Sequence, residues 1–291
     1  MRKAPGEAVE RLIPWLSASM IISVLLYREP ILTFLQGISS IVPGETQIYP
    51  IAGIIFAGAF ILFRLEEIKA SLKNEGGHAS KRRIRLLGLM LIIFPAILWN
   101  MLSASEPMDV SAIILALAWF GAFMIFNPST SKILAPYLML YMAATMAPRL
   151  LYPVAGEPLA DFTSLIVAGM MPLIGAPAAM TGRSLELTSL NGETIKFTIS
   201  SGCSSISSIT VFLLLCGLMH LDLKKNARTT LLFASIGTLS LILLNALRVV
   251  ILLWVGYTGG DWSLWTVHSW LGYAIMIGFY ALTAKIYLKT K

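Results

Sequence analysis

Residues 230–256, TLLFASIGTLSLILLNALRVVILLWVG, form a run in which Arg248 is the only charged side chain. A bilayer crossing needs about 20 predominantly apolar residues, so this stretch reads as a transmembrane helix and the chain as a membrane protein. The rest of the sequence agrees. Of 291 residues, 57% are apolar and 13% charged, against roughly 45–50% and about 25% in soluble domains. Eight further apolar windows lie at 12–27, 48–65, 86–102, 110–126, 133–150, 160–180, 204–222 and 264–286. They leave no stretch long enough for a separate soluble domain.

Net charge converts these windows into a topology. The excess of +7 comes from 22 basic and 15 acidic residues, and in a membrane protein it reports orientation rather than a nucleic-acid partner. Four clusters carry most of it: Arg2, Lys3 and Arg11; Arg64 through Arg85; Lys224, Lys225 and Arg228; and Lys285, Lys289 and Lys291. All four belong on the cytoplasmic side, with both termini. Counting crossings from each terminus leaves the window at 160–180 unable to cross once. Pro172 and Pro177 interrupt it and Asp161 opens it, so it reads as an interfacial or re-entrant segment on the outer side. Eight spans remain. Inside segments then hold 17 basic and 6 acidic residues, outside segments 4 and 9, with Arg248 left within a span. The first window is expected to be an uncleaved span, and residues 66–85 a solvated cytoplasmic linker. The expected fold is an all-α polytopic membrane protein of about eight helices, with the outer segment and a small β-hairpin. It divides into a five-span region at 1–150 and a second region at 151–291.

The hairpin is expected at 184–199, SLELTSLNGETIKFTI. Leu185, Leu187 and Leu190 on one arm and Ile195, Phe197 and Ile199 on the other alternate with polar residues about Asn191-Gly192, the preferred two-residue hairpin turn. Its edge is a place where an extended peptide could add as a strand. The second arm delivers the chain to Gly202-Cys203-Ser204-Ser205 at the start of a span.

Three polar residues fall at one depth. Cys203 opens the window at 204–222, where a helix dipole and unpaired amides favour thiolate over thiol and can receive an oxyanion. By itself it matches a small buried hydrophobe, as Cys216 does. Arg248 is harder to dismiss, because a charge within a span is costly and generally functional. Eight residues separate it from Gly256, roughly 12 Å of helix, so its guanidinium reaches the outer interface. Asn245 shares its face and is placed to hold it. His268 lies among Trp262, Trp265 and Trp270 in an interfacial belt. An imidazole can take a thiol proton and return it to a leaving amine, and a guanidinium can stabilise an oxyanion or clamp a carbonyl. The set fits acyl transfer through a thioester. Other readings are an anion or small-molecule transporter using Arg248, an intramembrane serine protease using Ser204 or Ser205 with His268, and a scaffold without chemistry. Neither HExxH, GxGxxG nor GxxxxGK[ST] occurs, and two cysteines and three histidines make no metal signature. No metal or cofactor is expected.

These residues resemble the exosortase/archaeosortase family of membrane transpeptidases. The likeness covers mainly residues 170–275: IGAPAAMTG before the hairpin, Gly202-Cys203-Ser204-Ser205-Ile206, Asn245 to Arg248, and His268 beyond an outer loop. The resemblance implies cleavage of C-terminal tripartite sorting signals, each a short motif, a transmembrane helix and a basic tail, with transfer of the exported protein to an acceptor for which a lipid headgroup is one candidate. Carried over, Cys203 is the nucleophile, His268 the acid/base and Arg248 the group that positions substrate or steadies the transition state, with Gly202, Ser204, Ser205 and Asn245 in support. Ser205 stands where many bacterial members have Gly, which leans toward the archaeosortase branch. Such a protein belongs in the plasma membrane, in contact with its lipids, with the site near the extracytoplasmic face.

Overall fold

The computed structural model describes residues 25–39, 49–73, 79–101 and 108–289; the window at 12–27 lies almost wholly outside them. They fall into two compact units, one running up to Met146 apart from Tyr49 and one from Ala147 onward. Among the described residues, six stretches are long and apolar enough to cross a membrane: Arg82–Met101, Met108–Phe126, Pro128–Leu173, Ser201–Leu223, Ala227–His268 and Trp270–Lys289. A shorter apolar helix, Pro50–Phe63, matches the second window. The molecule is a polytopic helical membrane protein with a small sheet.

The first unit holds α1 (Arg28–Ser39), α2 (Tyr49–Phe63), α3 (Leu65–Lys73), α4 (Ala79–Met101), α5 (Met108–Phe126) and most of α6 (Pro128–Leu151). Small residues let its helices approach, as is usual where lipid removes the hydrophobic drive between spans. A Cβ placed on Gly88 of α4 would lie 2.6 Å from the Gly121 carbonyl of α5. The Tyr27 hydroxyl donates to the Ile92 carbonyl, which satisfies a polar group on a buried ring. Between α5 and α6, the Asn127 carboxamide accepts the Thr130 amide at 2.9 Å and Pro128 follows at the first helical position, an N-cap with its favoured neighbour. The expected linker at 66–85 is instead largely helical: α3 carries a Lys69–Glu66 pair at 2.7 Å, and α4 begins at Ala79.

In the second unit α6 passes through a π-turn (Tyr152–Gly156) into α7 (Glu157–Leu173). The π-turn carries Pro153, and Pro158 follows at the second position of α7, where a missing amide proton is tolerated. The window at 160–180 is thus a helix only as far as Leu173. Beyond it come β1 (Ala179–Thr181), β2 (Ser184–Thr188) and β3 (Thr194–Thr198), antiparallel in the order β1-β2-β3. The hairpin therefore has a third strand, drawn from the IGAPAAMTG stretch.

Its turn also differs from expectation. Leu185 faces Phe197 and Leu187 faces Ile195, a register centred on Asn191. The Ser189 amide bonds the Glu193 carbonyl at 2.8 Å, the Gly192 amide bonds Ser189 at 2.9 Å, and Gly192 has φ of +83°. That is a three-residue loop ending on a left-handed glycine, not a two-residue Asn-Gly turn. The reason is parity: the buried side chains Leu185, Leu187, Ile195, Phe197 and Ile199 all have odd numbers, and only an odd-length loop puts both arms' apolar sets on one face. Leu190 leaves that face for the exposed tip.

After β3 a single 3₁₀ turn (Ser201–Cys203) leads into α8 (Ile206–Leu223), and α9 (Ala227–Lys289) follows. α9 is two arms, 227–259 and 261–289, broken at Gly260 with φ of 82° and ψ of −178°, a conformation open essentially only to glycine. Glu193 secures the break: its Oε2 accepts the Asp261 amide at 3.0 Å, capping the second arm, and the Leu190 amide bonds the Tyr257 carbonyl at 2.8 Å. The sheet, α7 and α9 share one core of Ala160, Val167, Met171, Leu185, Phe197, Val249, Leu253 and Leu264, against which Cys203 packs.

Candidate active site

Cys203 closes the 3₁₀ turn, and the turn uses the amides expected to be free. The Cys203 amide bonds the Ser200 carbonyl at 2.8 Å and the Ser204 amide bonds Ser201 at 3.0 Å. The thiol therefore sits one short turn ahead of α8, and the amides available to an anion are those of the first turn of α8, which begins without a side-chain cap. Between the two lies Ser205 with φ of 61°. Left-handed backbone costs a residue with a Cβ about 1 kcal/mol or more and costs glycine nothing comparable. The Ser205 hydroxyl donates to the Ser204 carbonyl at 2.5 Å. Cys203 is partly accessible and Cys216 buried, while Ser204 and Ser205 are both buried.

Asn245 is fully buried on the first arm of α9. It was expected to hold Arg248; instead its Nδ2 donates to the Cys203 carbonyl. One helical turn later Arg248 comes within 3.5 Å of His268, Nη2 to Nε2, and within electrostatic reach of Cys203 and Tyr273. The helix α9 thus joins the cysteine turn, through Asn245, to the histidine, through Arg248. The guanidinium lies flat over Gly272 of the second arm, where a Cβ would come 3.1 Å from Cζ. Its Nε is buried without a hydrogen-bond partner, as is Ser204 Oγ. A buried donor left unpaired carries a desolvation penalty of about 1–3 kcal/mol, more when charged.

His268 rests against Trp265 with ring centres 5.3 Å apart, and Trp265 lies 6.2 Å from Phe197 of β3. The Trp265 indole donates to Asp261 Oδ1 at 3.0 Å. The sheet therefore braces the histidine through two aromatic rings. Arg183, in the turn between β1 and β2, pairs with Glu157 and Asp161 of α7 and ties the sheet's other end down. Three contributors escaped the sequence reading: Gly272, which gives Arg248 its room; Glu193, which sets the α9 break; and Tyr273. A glycine four residues past His268 was the available signal for the first. The other histidine within the described residues, His220, bonds Thr230 at 3.0 Å at the other end of α8. No group of three or more metal-binding side chains lies together among the described residues.

The arrangement offers an accessible thiol, an imidazole and a fixed cation on neighbouring elements of one unit. No curated protein and no solved structure matches the chain. The sequence profile of the transmembrane exosortase family (Exosortase_EpsH) matches residues 44–284. That match takes in most of the chain and every residue of this site, and the protein belongs to the transmembrane exosortase family.

Proposed function

We propose that the protein is a membrane-embedded cysteine transpeptidase that removes C-terminal sorting signals from exported proteins and passes the new carboxyl end to an acceptor. The observation that carries the reading is the single helix α9 holding the Cys203 turn through Asn245 while setting Arg248 against His268 at 3.5 Å. In the first half-reaction Cys203 Sγ gives its proton to His268 and attacks the scissile carbonyl. The C–S bond forms, the C–N bond breaks, and His268 returns the proton to the leaving amine. In the second, an acceptor hydroxyl or amine loses its proton to His268 and attacks the thioester, and the thiol is released. Arg248 meets the oxyanion of both steps, for which its unpaired buried Nε is the fitting donor. The burial of Ser204 and Ser205 favours the thiol over a serine nucleophile.

The site belongs in the outer half of the plasma membrane, with both termini cytoplasmic; the charge segregation of the sequence supports that orientation. A lipid headgroup is the acceptor class that such a depth favours. Ser205 supports assignment to the archaeosortase branch. The test is to co-express the protein with an exported reporter carrying a C-terminal transmembrane helix and a basic tail. Wild type is expected to remove the tail, and Cys203→Ala, Arg248→Ala and His268→Ala to accumulate the unprocessed reporter. Tail removal by Cys203→Ala would overturn the mechanism.

A further inference from the structure

β3 is an edge strand whose outer side has a definite set of hydrogen-bonding groups. The bonds from Ser189 N to Glu193 O and from Ile199 N to Arg183 O establish that the odd-numbered residues of β3 pair with β2. In an antiparallel ladder the alternate residues then point their amides and carbonyls the other way. Those residues are Thr194, Lys196 and Thr198, all with exposed side chains, and no further strand pairs with β3 among the described residues. The opposite edge is shorter: with Ala179 and Thr181 turned toward β2, Met180 alone in β1 faces outward.

We propose that this outer edge of β3 binds the extended segment of the substrate on the amino side of the scissile bond, by strand addition. Three features single out this occupant. β3 runs directly into the turn that ends at Cys203, so a strand laid along it reaches the thiol without a detour. Phe197 of β3, through Trp265, braces His268, so occupancy of the edge is registered at the acid/base. Backbone pairing also reads extended conformation rather than side chains, which suits an enzyme that must accept many exported proteins. Polarity follows: a substrate descending from outside toward its own transmembrane helix travels in the same direction as β3, and the added strand is parallel to it. The inference rests on the proposed transpeptidase reading, and its test separates the two.

Lys196→Pro removes an outward amide while leaving the bonds to β2 intact, a substitution tolerated on edge strands. It is expected to slow reporter processing at least tenfold, with the rate of Cys203 alkylation by a small maleimide unchanged, whereas Lys196→Ala, which keeps the amide, stays within twofold of wild type. Wild-type processing by Lys196→Pro overturns the edge proposal; processing by Cys203→Ala overturns the transpeptidase reading instead. A second measurement does not depend on the proline variant folding. In a Cys203→Ala, Cys216→Ser background, Thr194→Cys and Thr198→Cys are expected to form disulfides with cysteines placed in the reporter ahead of the cleavage point, Thr198→Cys with the position nearer to it, and Ala179→Cys with none. Equal cross-linking from Ala179→Cys, or the reverse order along the reporter, overturns the proposal.

Discussion

The most apolar windows of Arg82–Met101, in α4, and of Ser201–Leu223, which contains α8, match in hydropathy, yet 61% of the second is buried against 17% of the first. Hydropathy finds spans; it does not say which of them forms the centre of a unit. What marks α8 is its small polar content. Ser207 and Thr210 are both buried on it, and each hydroxyl has a partner: Ser207 meets the Tyr152 hydroxyl at 2.9 Å and Thr210 bonds the Ser207 carbonyl at 2.8 Å. Lipid offers no such partners. α4 has apolar side chains such as Leu87, Met90 and Phe94 exposed instead, as a lipid-facing helix should. Buried, partnered hydroxyls on an apolar helix therefore point to neighbouring protein, and on α8 they lie in the turns that follow the accessible cysteine.

The contrast can be broken in several ways. The largest expected effect is chemical: Cys203→Ala lowers reporter processing by a factor of about 1,000 or more, while Leu87→Ala in α4 leaves it unchanged. Next is packing. Phe212 of α8 is fully buried, with the Phe279 ring 5.5 Å away edge-on, and Phe212→Ala should cost about 3–5 kcal/mol, read as a lowered midpoint of thermal unfolding in detergent. Gly260→Ala comes third. Its backbone conformation and the Glu193 carboxylate against it predict a loss of about 1–3 kcal/mol together with slower processing, because the break between the α9 arms orients His268. Smallest is Met90→Ala on the exposed side of α4, expected to stay within about 0.5 kcal/mol; a loss comparable to that of Phe212→Ala would contradict the reading of α4 as lipid-facing.

Much of this was legible in the sequence, for reasons that can be traced to residues. A lone arginine in an apolar run has so few places to go that Arg248 marked a candidate site, and alternation in two arms announced a sheet. The loop length was legible too, since five odd-numbered apolar positions require an odd-length turn, but the strong preference of Asn-Gly for two-residue turns points the other way and tertiary burial prevails. β1 was hidden because three residues carry no periodicity. The role of Asn245 was misjudged because helical spacing relates it only to its own helix, whereas its partner, the Cys203 carbonyl, lies across the fold. The 3₁₀ turn ahead of α8 leaves no mark in hydropathy, yet it decides which amides remain free near the thiol.

The most direct test of the account is the mass of the Cys203-containing peptide from enzyme quenched in acid during turnover of the reporter. The account predicts an acyl adduct on Cys203 equal to the reporter's new carboxyl end, removable by hydroxylamine and more abundant when acceptor is withheld. Steady processing without any adduct, in an enzyme that also tolerates Cys203→Ala, would contradict it.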